Sequence, residues 1–323
     1  MLSRRHFLAG LPLLAQAKKP NLVIFLSDDH GLLDSSVYGS KDAITPNMQR
    51  LAKDGMVFTQ AFVASPSCAP SRAAFLTGLY PARNGAEANH TKPRAEIRKL
   101  PSYLKELGYE TAAFGKVSHY RYTADYGFDT FAHDTFHDPE DVSSALEFLA
   151  KRTSTKPLAL FVGCNWPHVP WPTKGLTTAT VNLPAKSVPT PETKEARAQY
   201  LAAITNMDND LGKVYAAVKN KFGDNLFFLH TSDHGAQWPF GKWNLYDTGI
   251  RTPLIVAWPG VTRPGQRTGA MVQWIDLLPT LVDVAGGPAP QGLDGRSFAP
   301  VLRGRTKQHR REIFTTHSGD GDW

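Results

Sequence analysis

Cys68-Ala69-Pro70-Ser71-Arg72 places a thiol and, four residues later, a guanidinium just ahead of Ala73-Ala74-Phe75-Leu76-Thr77-Gly78, which reads as a helix. Unpaired N–H groups and the positive dipole end of a helix attract an anion, and Arg72 offers a planar, permanently charged fork beside them. Two apolar runs end in acids: Leu22 to Leu26 leads into Ser27-Asp28-Asp29-His30-Gly31, and Leu226 to Leu229 leads into Ser232-Asp233-His234-Gly235. Ligands of an open parallel sheet bind beyond the carboxyl ends of its strands, so Asp28, Asp29 and Asp233 are candidates for one hard-cation site. Crowded carboxylates repel one another unless a divalent ion neutralises them, and oxygen ligands favour calcium or magnesium over zinc. Lys116 and Lys242 could supply point charges that stabilise a developing anion. His119 and His168 are candidate proton-transfer groups, because histidine titrates near neutrality without special surroundings. Each residue has an ordinary alternative: an aspartate that caps a turn, a buried inert cysteine or one paired with Cys164, a surface ion pair for Arg72, solvated lysines, and structural histidines.

The elements that must position these groups are legible as alternating patterns. Besides the two acidic-ended runs, which read as buried parallel strands, short apolar runs occur at Thr111 to Phe114, Leu158 to Val162 and Leu254 to Ala257. Helical spacing separates them: Thr45-Pro46 through Leu51, Leu100 to Leu107, Val142 to Leu149, and Trp274 to Val284 closed by Gly286-Gly287-Pro288. The longest runs from Glu195 to Phe222, with Tyr200, Ile204, Met207, Leu211, Val214 and Val218 recurring every three or four residues. This alternation predicts an α/β protein with helices on the faces of a sheet. The Pro-rich interval from Pro167 to Pro191 reads as a long loop of the kind that is functional or disordered.

The 323 residues are 41% hydrophobic, 11% aromatic and 20% charged, which excludes coiled-coil, collagenous and disordered classes. Two cysteines rule out a disulfide framework, and C-x-x-C zinc spacing is absent. The net charge of +7 suits anionic ligands, but without a run of five like charges no nucleic-acid partner is expected. Ser3-Arg4-Arg5-His6-Phe7-Leu8, the apolar run Phe7 to Ala15 and Ala15-Gln16-Ala17 resemble a twin-arginine export signal over residues 1–17. Its apolar run is far short of the roughly 20 residues that span a bilayer, so no stable membrane anchor is expected. Removing it leaves 34 basic against 29 acidic residues, or +5.

C-x-P-S-R with a downstream L-T-G resembles the sulfatase signature, in which a maturation enzyme oxidises the cysteine to formylglycine. The order of landmarks strengthens the resemblance: Asp28-Asp29, Cys68 to Arg72, Gly115-Lys116, Pro167-His168, Asp233-His234-Gly235 and Lys242, over most of residues 20 to 300. The resemblance implies an alkaline-phosphatase-like sandwich with a mostly parallel central sheet. It divides the chain into the signal at 1–17, a catalytic domain at 18–303 and, at 304–323, the start of an apparently incomplete antiparallel C-terminal sub-domain. It implies a calcium site, with magnesium as the alternative ion, formed by Asp28, Asp29, Asp233, His234 and residue 68. A plain thiol attacks a sulfur centre ringed by negative oxygens poorly. A hydrated aldehyde offers one hydroxyl to attack and a second whose deprotonation later expels sulfate.

Carried over residue by residue, the resemblance assigns Arg72, Lys116 and Lys242 to the modified residue or the sulfate, His119 to breakdown of the sulfated hydrate, and His168 to the leaving oxygen. Two features depart from the common pattern. Lys116-Val117-Ser118-His119 spaces the histidine by three, where many members have two; some glycan-acting members share this spacing. His234 stands where Asn also occurs, and an amide oxygen suits calcium better than an imidazole does. Trp166 and Trp171 flank His168 and Trp238 and Trp243 flank Lys242, so four indoles are expected around one pocket mouth, as a platform for a sulfated sugar or as core packing. Trp243-Asn244-Leu245-Tyr246-Asp247 is similar to sulfamidase-like and heparan-type sulfatases. The reading is thus a periplasmic or secreted sulfatase acting on a sulfated carbohydrate, served by a maturation enzyme and the twin-arginine machinery. The alternatives are a phosphodiester or phosphonate monoester hydrolase of the same superfamily, or a non-catalytic binder of sulfated glycans.

Overall fold

Every residue of Asn21–Ser27 (β1) is buried, as a strand covered on both faces requires. In the computed structural model, which describes residues 18–132, 140–173 and 181–319, nine strands follow it: β2 (Met56–Phe58), β3 (Ala61–Phe62), β4 (Glu110–Gly115), β5 (Thr130–Ala132), β6 (Leu158–Gly163), β7 (Leu226–Ser232), β8 (Leu254–Ala257), β9 (Gln266–Thr268) and β10 (Val272–Gln273). The α-helices are α1 (Pro46–Asp54), α2 (Cys68–Thr77), α3 (Pro81–Asn84), α4 (Leu100–Glu106), α5 (Glu140–Lys151), α6 (Pro191–Phe222), α7 (Asp247–Ile250), α8 (Leu277–Val284) and α9 (Ala299–Leu302). Eight strands form one sheet in the order β5-β4-β6-β1-β7-β8-β2-β9, and β10 pairs with β3 apart from it. Only β8 runs antiparallel to its neighbours in the large sheet.

Alternation along β1 divides the core. Leu22, Ile24 and Leu26 face a layer that includes Phe75 of α2, Leu104 of α4 and Leu278 of α8. Val23 and Phe25 face Leu51 of α1, Leu149 of α5 and Met207 of α6. The result is the predicted α/β sandwich with a mostly parallel central sheet.

Differences from expectation lie at ends and edges. The long helix starts at Pro191, four residues early, because the Thr190 hydroxyl accepts from Thr193 N at 3.2 Å and proline suits the first turn. The helix expected at Trp274 opens as a 3₁₀ turn, Trp274–Asp276, before α8. Strands β2, β3, β5, β9 and β10 have two or three residues each, too short to carry a periodic signal. Residues 1–17, over which an export signal is expected, and part of the Pro167 to Pro191 loop lie outside the described residues.

Register positions the site. β1 lies between β6 and β7, with Ser27 level with Ser232 and Leu26 level with Gly163, while Gly115 is level with Gly163. Asp28, Lys116 and Asp233 therefore leave three strands at one height. Gly163 is required for space rather than for conformational freedom: a Cβ there would lie 2.1 Å from the carbonyl carbon of Lys116.

Candidate active site

Asp29, two residues past the end of β1, lies in the left-handed region, at φ 63, which aspartate tolerates better than most side chains. The turn aims its amide at Asp233 Oδ1, 3.1 Å away, and Tyr200 of α6 braces it by donating to the Asp29 carbonyl at 3.1 Å. Cys68 is the first residue of α2 and is buried. Its Sγ lies 3.7 Å from Asp28 Oδ1, 3.2 Å from His234 Nε2 and 3.7 Å from Lys116 Nζ. Among the described residues, ligand atoms of Asp28, Asp29, Cys68 and His234 lie within 4.8 Å of one another.

Asp233 sits beside this group, engaged by Arg72. Arg72 Nε donates to Asp233 Oδ2 at 3.0 Å, and Nη2 lies 3.0 Å from that oxygen and 3.4 Å from Asp28 Oδ1. Nη1 donates to the Lys116 carbonyl. The fully buried guanidinium thus ties the two acidic strand ends together, and its fork is turned on carboxylates. Lys116 pairs with Asp28 Oδ2, and Lys242 Nζ donates to both Asp29 oxygens at 2.9 Å. Three carboxylates are therefore packed together with the cations of Arg72, Lys116 and Lys242.

Each titration follows from these neighbours. Burial works to raise the Asp28 carboxyl, but Lys116, His168 and Arg72 outweigh it and hold the group well below its ordinary range. Burial lifts Asp233 above its ordinary value against the opposing pull of Arg72. Burial would lower Lys116, yet Asp28 and Cys68 raise it; Lys242 is likewise raised, by Cys68 and Asp29. Against burial, Asp233, Cys68 and Asp29 push His234 up to about 9.

His234 Nδ1 lies 2.9 Å from the Gly235 carbonyl. A carbonyl only accepts, so that nitrogen carries a proton, and on deprotonation Nε2 presents its lone pair to the cluster. His168 is arranged alike, with Nδ1 2.7 Å from Val169 O and Nε2 3.8 Å from Asp29 Oδ2; burial lowers its pKa against Asp28 and Asp29. His119 stands further out, edge-on to His90 at 4.7 Å and to Tyr120 at 4.5 Å. Burial, Lys116 and His90 drive it down to about 2.

Several expectations change. The first turn of α2 offers fewer free donors than its sequence suggests: Ala69 N donates to Asn89 Oδ1 at 3.2 Å, Pro70 has no N–H, and Ser71 N closes on Ser67 O at 3.0 Å. Neither cysteine is in a disulfide, so the Cys68–Cys164 pairing is not formed. Of the four indoles, Trp171 and Trp238 take the core-packing alternative, stacking on each other at 5.7 Å and packing against Tyr200, whereas Trp243 is exposed with its ring centroid 5.2 Å from Lys242 Nζ. Ser71, Asn89, Tyr120 and Tyr200 also support the site, without a signal in the sequence that assigns them to it. Ser71 donates to Asp233 O at 2.6 Å and the Tyr120 ring lies 4.7 Å from Lys116 Nζ. Of these, only Ser71 lies inside a motif; in the sequence Tyr200 is one more residue of an apolar stripe.

Residues 20–287 match the family model described as Sulfatase. The chain is 33% identical over 316 residues to an ulvan-active sulfatase of Formosa agariphila, covering 93% of this chain and 61% of that protein's length. It is 28% identical over 369 residues to N-acetylgalactosamine-6-sulfatase of Homo sapiens, covering 91% and 68%. Among solved structures, Ps i-CgsB in complex with k-i-k-neocarrahexaose is similar with a TM-score of 0.73 and 26% identity, covering 88% of this chain and 76% of that one.

Proposed function

The chain belongs to the sulfatase family, and from that premise we propose that it hydrolyses sulfate esters carried by a glycan, with residues 18–303 as the catalytic domain. The observation that carries this reading is the buried group of Asp28, Asp29, Cys68 and His234, whose ligand atoms lie within 4.8 Å of one another. Two carboxylates are hard donors suited to calcium, or to magnesium as the alternative, whereas a thiol is soft. Oxidation of Cys68 to formylglycine would replace sulfur by oxygen and make the set fit a hard cation, with Asp28, Asp29, His234 and residue 68 holding it and Asp233 supporting them. A bound divalent cation would supply positive charge against the sulfate oxygens, and formylglycine would supply the attacking hydroxyl.

The protein's own groups do the rest. With Arg72, Lys116 and Lys242 set against the three carboxylates, a divalent ion would give the centre an excess of positive charge that an anionic ester can meet. Lys116 and Lys242 lie beside residue 68 and Asp29 and stabilise charge that moves onto sulfate oxygens. Arg72 holds Asp28 and Asp233 in register. His168 delivers the leaving-group proton from Nε2. Because Nδ1 is tied to Val169 O, Nε2 carries that proton only when the ring is charged; burial disfavours that state and lowers the pKa, and Asp28 and Asp29 oppose the shift only in part. We assign to His119 the proton released when sulfate is expelled; burial, Lys116 and His90 disfavour its charged form in the free protein, and the negative charge of a bound sulfate would oppose them. In sum, water is consumed, the ester bond is cleaved, and alcohol and sulfate leave.

Glycan as the substrate class is supported by the relatives active on ulvan or named for N-acetylgalactosamine 6-sulfate. We also propose maturation by a formylglycine-generating enzyme and export through the twin-arginine route to the periplasm or beyond, on the strength of Cys68 to Arg72 and Arg4-Arg5. No helix among the described residues is long and apolar enough to cross a membrane.

The test is mass spectrometry of the peptide containing residue 68, from a host able to mature it, paired with sulfate release. An aldehyde at residue 68 in active protein is expected, and Cys68→Ala should lower turnover at least a thousandfold with unchanged thermal unfolding. Turnover by protein bearing only free thiol would overturn the reading.

A further inference from the structure

A cleft of about 600 Å³ lies beside the centre, within the size range of small-ligand pockets. Two of its walls are the loops that carry the site: Gly31 and Leu32 follow Asp28-Asp29-His30, and Trp238 to Gly241 lie between His234 and Lys242. Its third wall includes Arg197, near the start of α6. That helix leads directly into parallel strand β7, so its first turns sit at the carboxyl end of the sheet, where the acidic residues emerge.

The walls are mostly apolar, with Phe240 and Tyr246 edge-to-face at 5.0 Å. Trp238 is a fixed wall because it is already stacked on Trp171. The acids of the cleft are engaged: Asp34 and Asp42 lie 2.7 and 3.4 Å from Arg197, and Asp247 lies 3.2 Å from Arg251. Lys186 instead rests on the aromatic pair, with Nζ 4.5 Å from the Phe240 centroid and 5.8 Å from that of Tyr246. Arg197 Nε is buried without a hydrogen-bond partner among the described residues. Aromatic faces that pack on a ring's C–H groups, a cation that no carboxylate among the described residues holds and a spare buried donor together suit an anionic sugar.

We propose that this cleft binds the saccharide unit adjoining the sulfated one, with Lys186 meeting its sulfate or carboxylate. The proposal rests on the glycan-sulfatase reading and deepens it: the enzyme grips a chain of at least two units.

The test compares matured wild-type protein with the double variant Lys186→Gln/Tyr246→Ala. Affinity for a sulfated ulvan hexasaccharide is measured by calorimetry, and turnover is measured on a small aryl sulfate. Hexasaccharide affinity should weaken about tenfold while aryl sulfate kcat/KM stays within twofold. Unchanged hexasaccharide affinity, absence of binding to the wild type, or parallel loss of aryl sulfate turnover would each overturn the proposal. Should the double variant melt earlier, Lys186→Gln alone carries the comparison. The two readings separate: hexasaccharide binding that depends on these residues, without sulfate release from any ester, defeats the catalytic reading only. Aryl sulfate turnover with hexasaccharide affinity indifferent to them defeats the cleft only.

Discussion

At the scale of single residues, Arg72 shows how a motif position acquires its role from its neighbours. It is fully buried and touches Asp28, Asp233 and the Lys116 carbonyl. Removing one partner from a buried ion pair leaves an uncompensated charge, typically about 3–5 kcal/mol. Arg72→Ala is therefore expected to cost on the order of 3–5 kcal/mol in urea unfolding. Arg72→Lys should recover only part, since an ammonium lacks the fork that reaches both carboxylates. A loss under about 1 kcal/mol would mean that water reaches the pair. His234 offers the complementary case: its identity was visible beside Asp233, but its entry into the ligand group depends on Nδ1 being occupied by Gly235 O.

At the scale of elements, strand β1 and its neighbours were legible because they are buried throughout and read as unbroken apolar runs. Strands of two or three residues hold no period to detect, and β8 gives no sign in its own residues that it runs antiparallel. The ends of the elements carry the chemistry, and they tolerate little change. Gly163→Ala would drive a Cβ into the Lys116 backbone, 2.1 Å from its carbonyl carbon. Overpacking of this kind costs about 1–3 kcal/mol, and here it also displaces Lys116 from Asp28. Gly163→Ala should thus lower Tm and cut kcat more than tenfold. Full activity at an unchanged Tm would show that β6 can move aside. Helix α2 conveys a related lesson, since its capping partner Asn89 is 20 residues downstream, beyond any local signature.

Across the whole molecule, burial of ionisable groups on both sides of the sheet ties stability to pH. His230 lies inside β7, fully buried, and burial with His30 nearby lowers it to about 3; His119 lies at about 2. Below an ordinary histidine pKa near 6.5 the unfolded chain binds protons that the fold refuses, so stability falls as pH drops from there toward 3. Above that window their contribution is complete. Urea midpoints should decline between pH 6.5 and 4.5, before most carboxylates titrate, and His230→Gln should flatten the slope. An equally steep decline in that variant would assign the effect to other groups.

The sequence by itself determined which chemistry was available: a thiol, a guanidinium, acidic strand ends, lysines and histidines in family order, on alternating strands and helices. These signals are local, written in residue type and spacing. Only the tertiary structure decided which group faces which. It placed Arg72 between Asp28 and Asp233, His234 against Cys68, and Trp171 against Trp238. It also opened a cleft between loops some 200 residues apart in the chain. Those pairings follow from sheet order and from the register of Ser27 with Ser232, which are set by packing between distant segments and leave no mark in any one of them.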